Sequence, residues 1–169
     1  MTAVILLQRL KEFVQEHTKD MVLRVKPITH NVYGEDAKAE GITERPPEVH
    51  LMRLPSKDAE INRIPYILLQ WLAGKDDQQQ GEHPESECKI RIIAATYSDN
   101  DSEGALDVLN VMTKIRIALL RAGEIGEQFL LRKPLEALVY PDDTQPYFFG
   151  EMMSVWEMPT IKREVNLGE

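Results

Sequence analysis

The stretch YSDNDSEGALDVLNVM, residues 97–112, sets Asp99, Asp101 and Glu103 at alternate positions and follows them with Gly104. Oxygen ligands on every second residue ahead of a glycine are how a calcium-binding loop of the EF-hand kind opens. Two requirements of that loop fail here. Counting from Asp99, the twelfth position holds Asn110 where a bidentate glutamate is needed, and the residues before the loop, CKIRIIAAT, have the β-branched pattern of a strand, not a helix. The same residues suit a strand-to-helix turn. Asp99, Asp101 or Ser102 accepts hydrogen bonds from the unpaired N–H groups of a first helical turn, while Glu103 and Asp107 favour the positive end of its dipole. A helix cap is expected, not a metal site.

Other chemistry finds less support. The histidines, His17, His30, His50 and His83, are scattered, and none is spaced i, i+4 to present two ligands on one helical face. Cys88 is the single cysteine, so it has no disulfide partner in the chain and no CxxC neighbour; a small buried strand residue is the expectation. No nucleophile elbow, phosphate-binding glycine loop, dinucleotide fingerprint or HExxH is present. The glycines of RAGEIG follow a helical pattern instead of opening one. Asp76-Asp77 and Asp142-Asp143 fall in turn-rich segments where solvation explains them. Trp71, Tyr147, Phe148, Phe149 and Trp156 lie in strand-like runs without flanking basic residues, which suits a core better than a base-stacking platform. No catalytic, cofactor-binding or metal-ligating residue is assigned, and no enzyme activity is expected.

The elements that carry these residues follow from periodicity. Leu6, Leu7, Leu10, Phe13 and Val14 recur three or four apart among charged residues, predicting an amphipathic helix over residues 2–19. MVLRVKP reads as a short strand stopped by Pro27. Residues 28–47 then lose periodicity over a span longer than an ordinary loop of ~12 to 15 residues. EVHLMRLP alternates, and PYILLQWLAG is almost continuously apolar. With CKIRIIAATYS it predicts a hairpin whose polar tip covers residues 74–87. A second helix is predicted over 102–122, with a stripe of Leu106, Leu109, Met112, Ile115 or Arg116, Leu119 and Leu120, ended by Gly123. QFLLR, LEALVY and PYFFGEMMSVWEMP read as strands, separated by turns at Lys133-Pro134 and PDDTQP.

With 169 residues, 43% of them hydrophobic, the chain suits one domain with a real core. The expected fold is α+β: a mixed, mainly antiparallel sheet with two main helices packed on it, in a single domain spanning 1–169. No run reaches the ~18 to 20 apolar residues of a membrane span and the N-terminus lacks the layout of a signal peptide, so a soluble, unexported chain is expected. The net charge of −8 argues against gripping nucleic acid through its phosphates. It does not argue against DNA passing by, where repulsion keeps a conduit from binding its cargo.

Between residues 65 and 159, PYILLQWLAGKDD, then CKIRIIAATYSDNDSEGALDVLNVMTKIRIALL, then IGEQFLLRKPLEALVYPDDTQPYFFGEMMSVWEMP, the chain resembles the tail-terminator or tail-completion proteins of long-tailed bacteriophages. The carriers are a strand ending at Tyr97, a short acidic turn, a helix with Gly104, Asp107, Leu109, Ile115 and Leu119, and the closing aromatic strand. The resemblance implies a mixed sheet with helices packed on it, repeated as a ring, commonly a hexamer, at the head-proximal end of the tail tube. Such a ring ends tube growth and offers a joint to the head, without catalysis or cofactor. The implied partners are further copies of the chain, the tail tube protein and the head-neck connector protein. DNA passes through unbound, no membrane is involved, and the place is the virion tail, assembled in the host cytoplasm. A head-tail connector or neck protein is the nearer alternative; a small-ligand-binding or regulatory enzyme domain is one of another class. PYILLQWL and YFFGEMMSVW carry apolar residues at both strand parities, more than one helix-covered sheet face needs. Tyr66, Leu68, Trp71, Phe149 and Trp156 are therefore the expected assembly contacts.

Overall fold

Leu6, Leu7, Leu10 and Val14 are buried along one side of α1 (Ala3–Thr18), so the predicted stripe is the one that packs. In its last turn the hydroxyl of Thr18 donates to the carbonyl of Val14 at 2.8 Å. The computed structural model describes residues 2–27, 43–55, 64–141, 145–162 and 164. Residues 28–42 of the predicted excursion, with His30, and residues 142–144 of the PDDTQP turn lie outside them. The flanks of the excursion pair with each other: β1 (Leu23–Arg24) runs antiparallel to β2 (Glu44–Arg45), with Leu23 opposite Arg45. Residues 44 and 45, expected as loop, are thus strand.

Among the described residues the main sheet has six strands in the order β3-β4-β5-β8-β7-β6: β3 (Glu48–Leu51), β4 (Tyr66–Asp77), β5 (Glu85–Tyr97), β6 (Glu124–Ile125), β7 (Phe129–Val139) and β8 (Tyr147–Glu157). Only β3 against β4 is parallel; the other neighbours are antiparallel. The fold is α+β, two helices against a mostly antiparallel sheet in a single domain, as expected. Two hairpins, β4–β5 and β6–β7, are joined by α2 (Asp101–Ala122), and β8 inserts between β5 and β7.

Two turns differ from expectation. The β4–β5 ladder continues through Asp77 opposite Glu85, so the tip is residues 78–84, shorter than 74–87. Charged residues at 75–77 pair well in a strand when both faces meet water, which hydropathy alone reads as loop. Lys133-Pro134 does not divide two strands. It sits inside β7, where the register against β8 shifts between Arg132 and Glu136, because a missing N–H is tolerated at an irregularity.

Helix α2 begins at Asp101 and ends where predicted. Gly123 has φ +69°, the left-handed conformation glycine adopts without penalty, and its N–H donates to Leu119 O at 2.9 Å. Its buried face is Gly104, Val108, Val111, Met112, Ile115 and Leu119. The predicted Leu106, Leu109 and Leu120 point away from the sheet. Close approach explains the difference: a Cβ on Gly104 would stand 2.1 Å from the Phe148 ring, and one on Gly150 2.1 Å from Met112 Sδ. The helix lies so near β8 that glycine and valine must face inward in part, which leaves leucines outside.

The core fills the space between the helices and one sheet face. Ile67, Leu69, Ile90, Ile92, Ala94, Met152 and Trp156 meet α1 and α2 there. On the opposite face a second, smaller cluster gathers Ile64, Tyr66, Leu68 and Ala95, with Leu54, Ile93, Tyr97, Tyr147 and Phe149 half-buried around it. Among the described residues no helix is long and apolar enough to cross a membrane.

Candidate functional site

The acidic turn between β5 and α2 carries the residue types that suggested chemistry. Its cap is Asn100, in extended conformation, whose side-chain oxygen accepts from Ser102 N at 3.1 Å and Glu103 N at 3.4 Å. Asp99, Asp101 and Ser102 are not the cap acceptors. Asp101 and Ser102 already lie in the helix, and Asp101 and Glu103 supply the negative charge of its first turn, as expected of Glu103. Four consecutive residues, 99–102, have cap-competent side chains; backbone geometry selected Asn100.

Asp99 and Glu103 have another task. Arg24 of β1 donates from Nη1 to Asp99 Oδ1 at 3.1 Å and to Ser98 Oγ at 3.2 Å, and from Nη2 to Glu103 Oε2. A guanidinium therefore fills the place between carboxylates where a cation would bind. Its hydrogen bond and charge interaction with Glu103, then the charges of Asp99 and Asp107, raise its pKa further, so it stays charged. Burial pushes the Asp107 carboxyl up, with Arg24 opposing and Glu103 adding to the shift. Exposed pairs of this kind add little stability. What they fix is position: the root of the β1–β2 ribbon is tied to the start of α2. Among the described residues no group of three or more His, Cys, Asp or Glu is placed to hold a metal ion.

The five expected assembly contacts fare unevenly. Trp156 is fully buried, its indole N–H donating to Ser154 Oγ at 2.9 Å, and that hydroxyl donating to Ile90 O at 2.8 Å. Tyr66 and Leu68 are buried in the second cluster and Phe149 is half-buried beside them. Of the five, only Trp71 is exposed. The surplus of apolar strand residues is absorbed within the subunit, because the centre of the sheet has a core on each face. Cys88 is buried as expected, and burial pushes its thiol up to about 11, far from a nucleophile at neutral pH.

Exposed apolar surface lies elsewhere. Leu106, Leu109, Ile117 and Leu120 form a stripe along the outward side of α2, with Leu106 57% exposed. At 100° per residue these positions fall opposite Val108, Ile115 and Leu119, so the helix is apolar on both sides, a pattern that suits an element covered on both. Beside the stripe, a groove of about 400 Å³ between α1 and α2 is lined by Phe13, His17, Lys114, Ile117 and Arg121. At the far end of the β4–β5 hairpin every residue from Trp71 to Glu85 is exposed. The reverse sheet face carries Leu130 and Leu138 beside cross-strand pairs, Arg91 with Glu151 at 2.6 Å and Arg132 with Glu87 and Glu157 at 3.4 and 3.3 Å.

Neither the protein-family models nor the curated proteins contain a match to the chain.

Proposed function

We propose that the protein is a structural, non-enzymatic virion subunit that forms a ring, a hexamer on the resemblance of residues 65–159, at the head-proximal end of a phage tail tube. There it ends tube growth and joins the tail to the head, with the tube protein, the head-neck connector and further copies of itself as partners. The observation that carries the reading is the double-sided apolarity of α2. Its outward leucines give the subunit surface to share, and a ring of like subunits is one way to cover it. The α+β architecture agrees with what the resemblance implies. A net charge of −8 suits a wall past which DNA moves without adhering.

Electron microscopy of particles made without this protein tests the reading. A terminator's absence gives tails of irregular, excessive length that fail to join heads. Tails of normal length lacking only the joint would favour a neck connector, and normal particles would overturn both.

A further inference from the structure

Two parts of the surface lack a partner within the subunit and have opposite character. The first is the arm formed by β4 and β5 beyond the sheet. From Trp71 to Lys75 β4 is the exposed edge of the sheet, its partners on β5 still paired with β8; beyond Glu87 the hairpin runs on as a two-stranded ribbon, residues 76–86, a form that is marginally stable in water by itself. Residues 74–85 hold Asp76, Asp77, Glu82 and Glu85 against one cation, Lys75. Lys75 pairs with Asp77 at 2.8 Å and Ser86 Oγ donates to Asp76 Oδ1 at 2.6 Å, so two of the carboxylates are held in fixed positions on the ribbon. At its root stand exposed Trp71 and Leu72.

The second part is the groove between α1 and α2. Phe13 and Ile117 supply an apolar floor and Lys114 and Arg121 a positive rim. Asp20 accepts from Lys114 Nζ at 2.6 Å and offsets one of these charges. Arg121 has no acidic partner among the described residues' ion pairs. In a chain with eight surplus negative charges, this is a site where positive and apolar character coincide.

We propose that the acidic arm of one copy lies across the α1–α2 groove and outward α2 stripe of the next. The arm's carboxylates face Arg121 and Lys114, and its apolar root meets Ile117 and Leu120. The two surfaces are unlike and belong to the same chain. The contact is therefore head-to-tail, the kind that repeats around a closed ring and leaves no unpaired end. This rests on the ring reading and names the surfaces that make it.

The test is self-association of the full-length protein by analytical ultracentrifugation, with circular dichroism to confirm that each variant folds. Glu85→Lys on the arm and Arg121→Glu in the groove are both exposed changes. Each is expected to weaken association about tenfold or more, since juxtaposed like charges repel. Placing both in one chain restores association toward the native value, and added salt weakens the native contact. A second pair reads direction: Leu72→Asp at the root of the arm, mixed with Ile117→Asp in the groove, leaves one intact arm and one intact groove, so the mixture stops at a dimer. Native-strength association in both charge variants, or no self-association of the native chain at any concentration, overturns the proposal. Native-strength association in both charge variants leaves a ring built through other surfaces, whereas absence of self-association counts against the ring itself; the terminator role is read separately, from tail length in particles lacking the protein.

Discussion

The two halves of β4 lie on one continuous ladder with β5 yet have opposite surroundings. From Tyr66 to Leu69 every residue of β4 is buried, with Ile67 and Leu69 under the helices and Tyr66 and Leu68 in the cluster behind. From Trp71 onward every residue is exposed. The change falls at a register shift between Trp71 and Ala73, where an extra residue bends a strand and increases its twist. Beyond the irregularity β5 stays inside the sheet, with Ile90 and Cys88 buried and paired to β8, while β4 runs on as an exposed edge. A ladder fixes shape, and burial decides where stability resides.

Substitutions across that irregularity should separate the halves most strongly. Leu69→Ala deletes a fully buried side chain and is expected to cost about 2–5 kcal/mol in urea denaturation. Leu72→Ala, three residues on and exposed, is expected to stay within about 0.5 kcal/mol in dilute solution. Equal losses at the two positions would show that the arm is part of the core. Next in size is Gly104→Ala. A methyl group there gains roughly 1 kcal/mol of helix propensity but overlaps the Phe148 ring, and a net loss of about 1–2 kcal/mol is expected by thermal or chemical unfolding. A stabilised variant would mean that α2 lies farther from β8.

Smaller again is Asn100→Ala, which removes the acceptor for two N–H groups and should lower stability by about 1 kcal/mol. Asp101→Asn, inside the helix, should do less; the reverse ranking would return the cap to the acidic residues. The smallest effect concerns calcium. With Arg24 between Asp99 and Glu103, excess calcium or chelator should leave the melting temperature unchanged beyond salt effects. A cation at 100 times its dissociation constant would add about 2.7 kcal/mol, so a saturable rise is readily detected.

Much of this was legible in residue order. Both helices lie within a residue of their predicted bounds, because Gly123 and the stripe of α1 are unambiguous signals. The phase of α2 was not legible, since the helix is apolar on two opposite sides and pattern alone favours the larger leucines. The side that faces in was settled by how near β8 comes, a property of the distant Phe148 and Gly150. Arg24 was invisible for a similar reason: it lies 75 residues before Asp99, and sequence spacing says nothing about a pair closed by the whole fold. The expected contacts Tyr66, Leu68 and Trp156 were misread because surplus apolar strand residues have two outlets, a second core or a partner, and composition does not choose between them.

The place of β8 governs the order in which the protein can form. It is the last strand among the described residues, yet it lies between β5 and β7, paired with β5 from Glu87 to Tyr97 and with β7 from Leu130 to Val139. Until β8 arrives, each hairpin has an inner edge with unpaired N–H and C=O groups, ready to pair with any passing strand. Contacts such as Cys88 with Trp156 join residues far apart in the chain, and closing them is slow compared with forming either hairpin. The two hairpins are therefore separate pieces during folding, and the sheet becomes one object in a single late step. A chain shortened before Tyr147 is expected to aggregate instead of forming a smaller version of the fold.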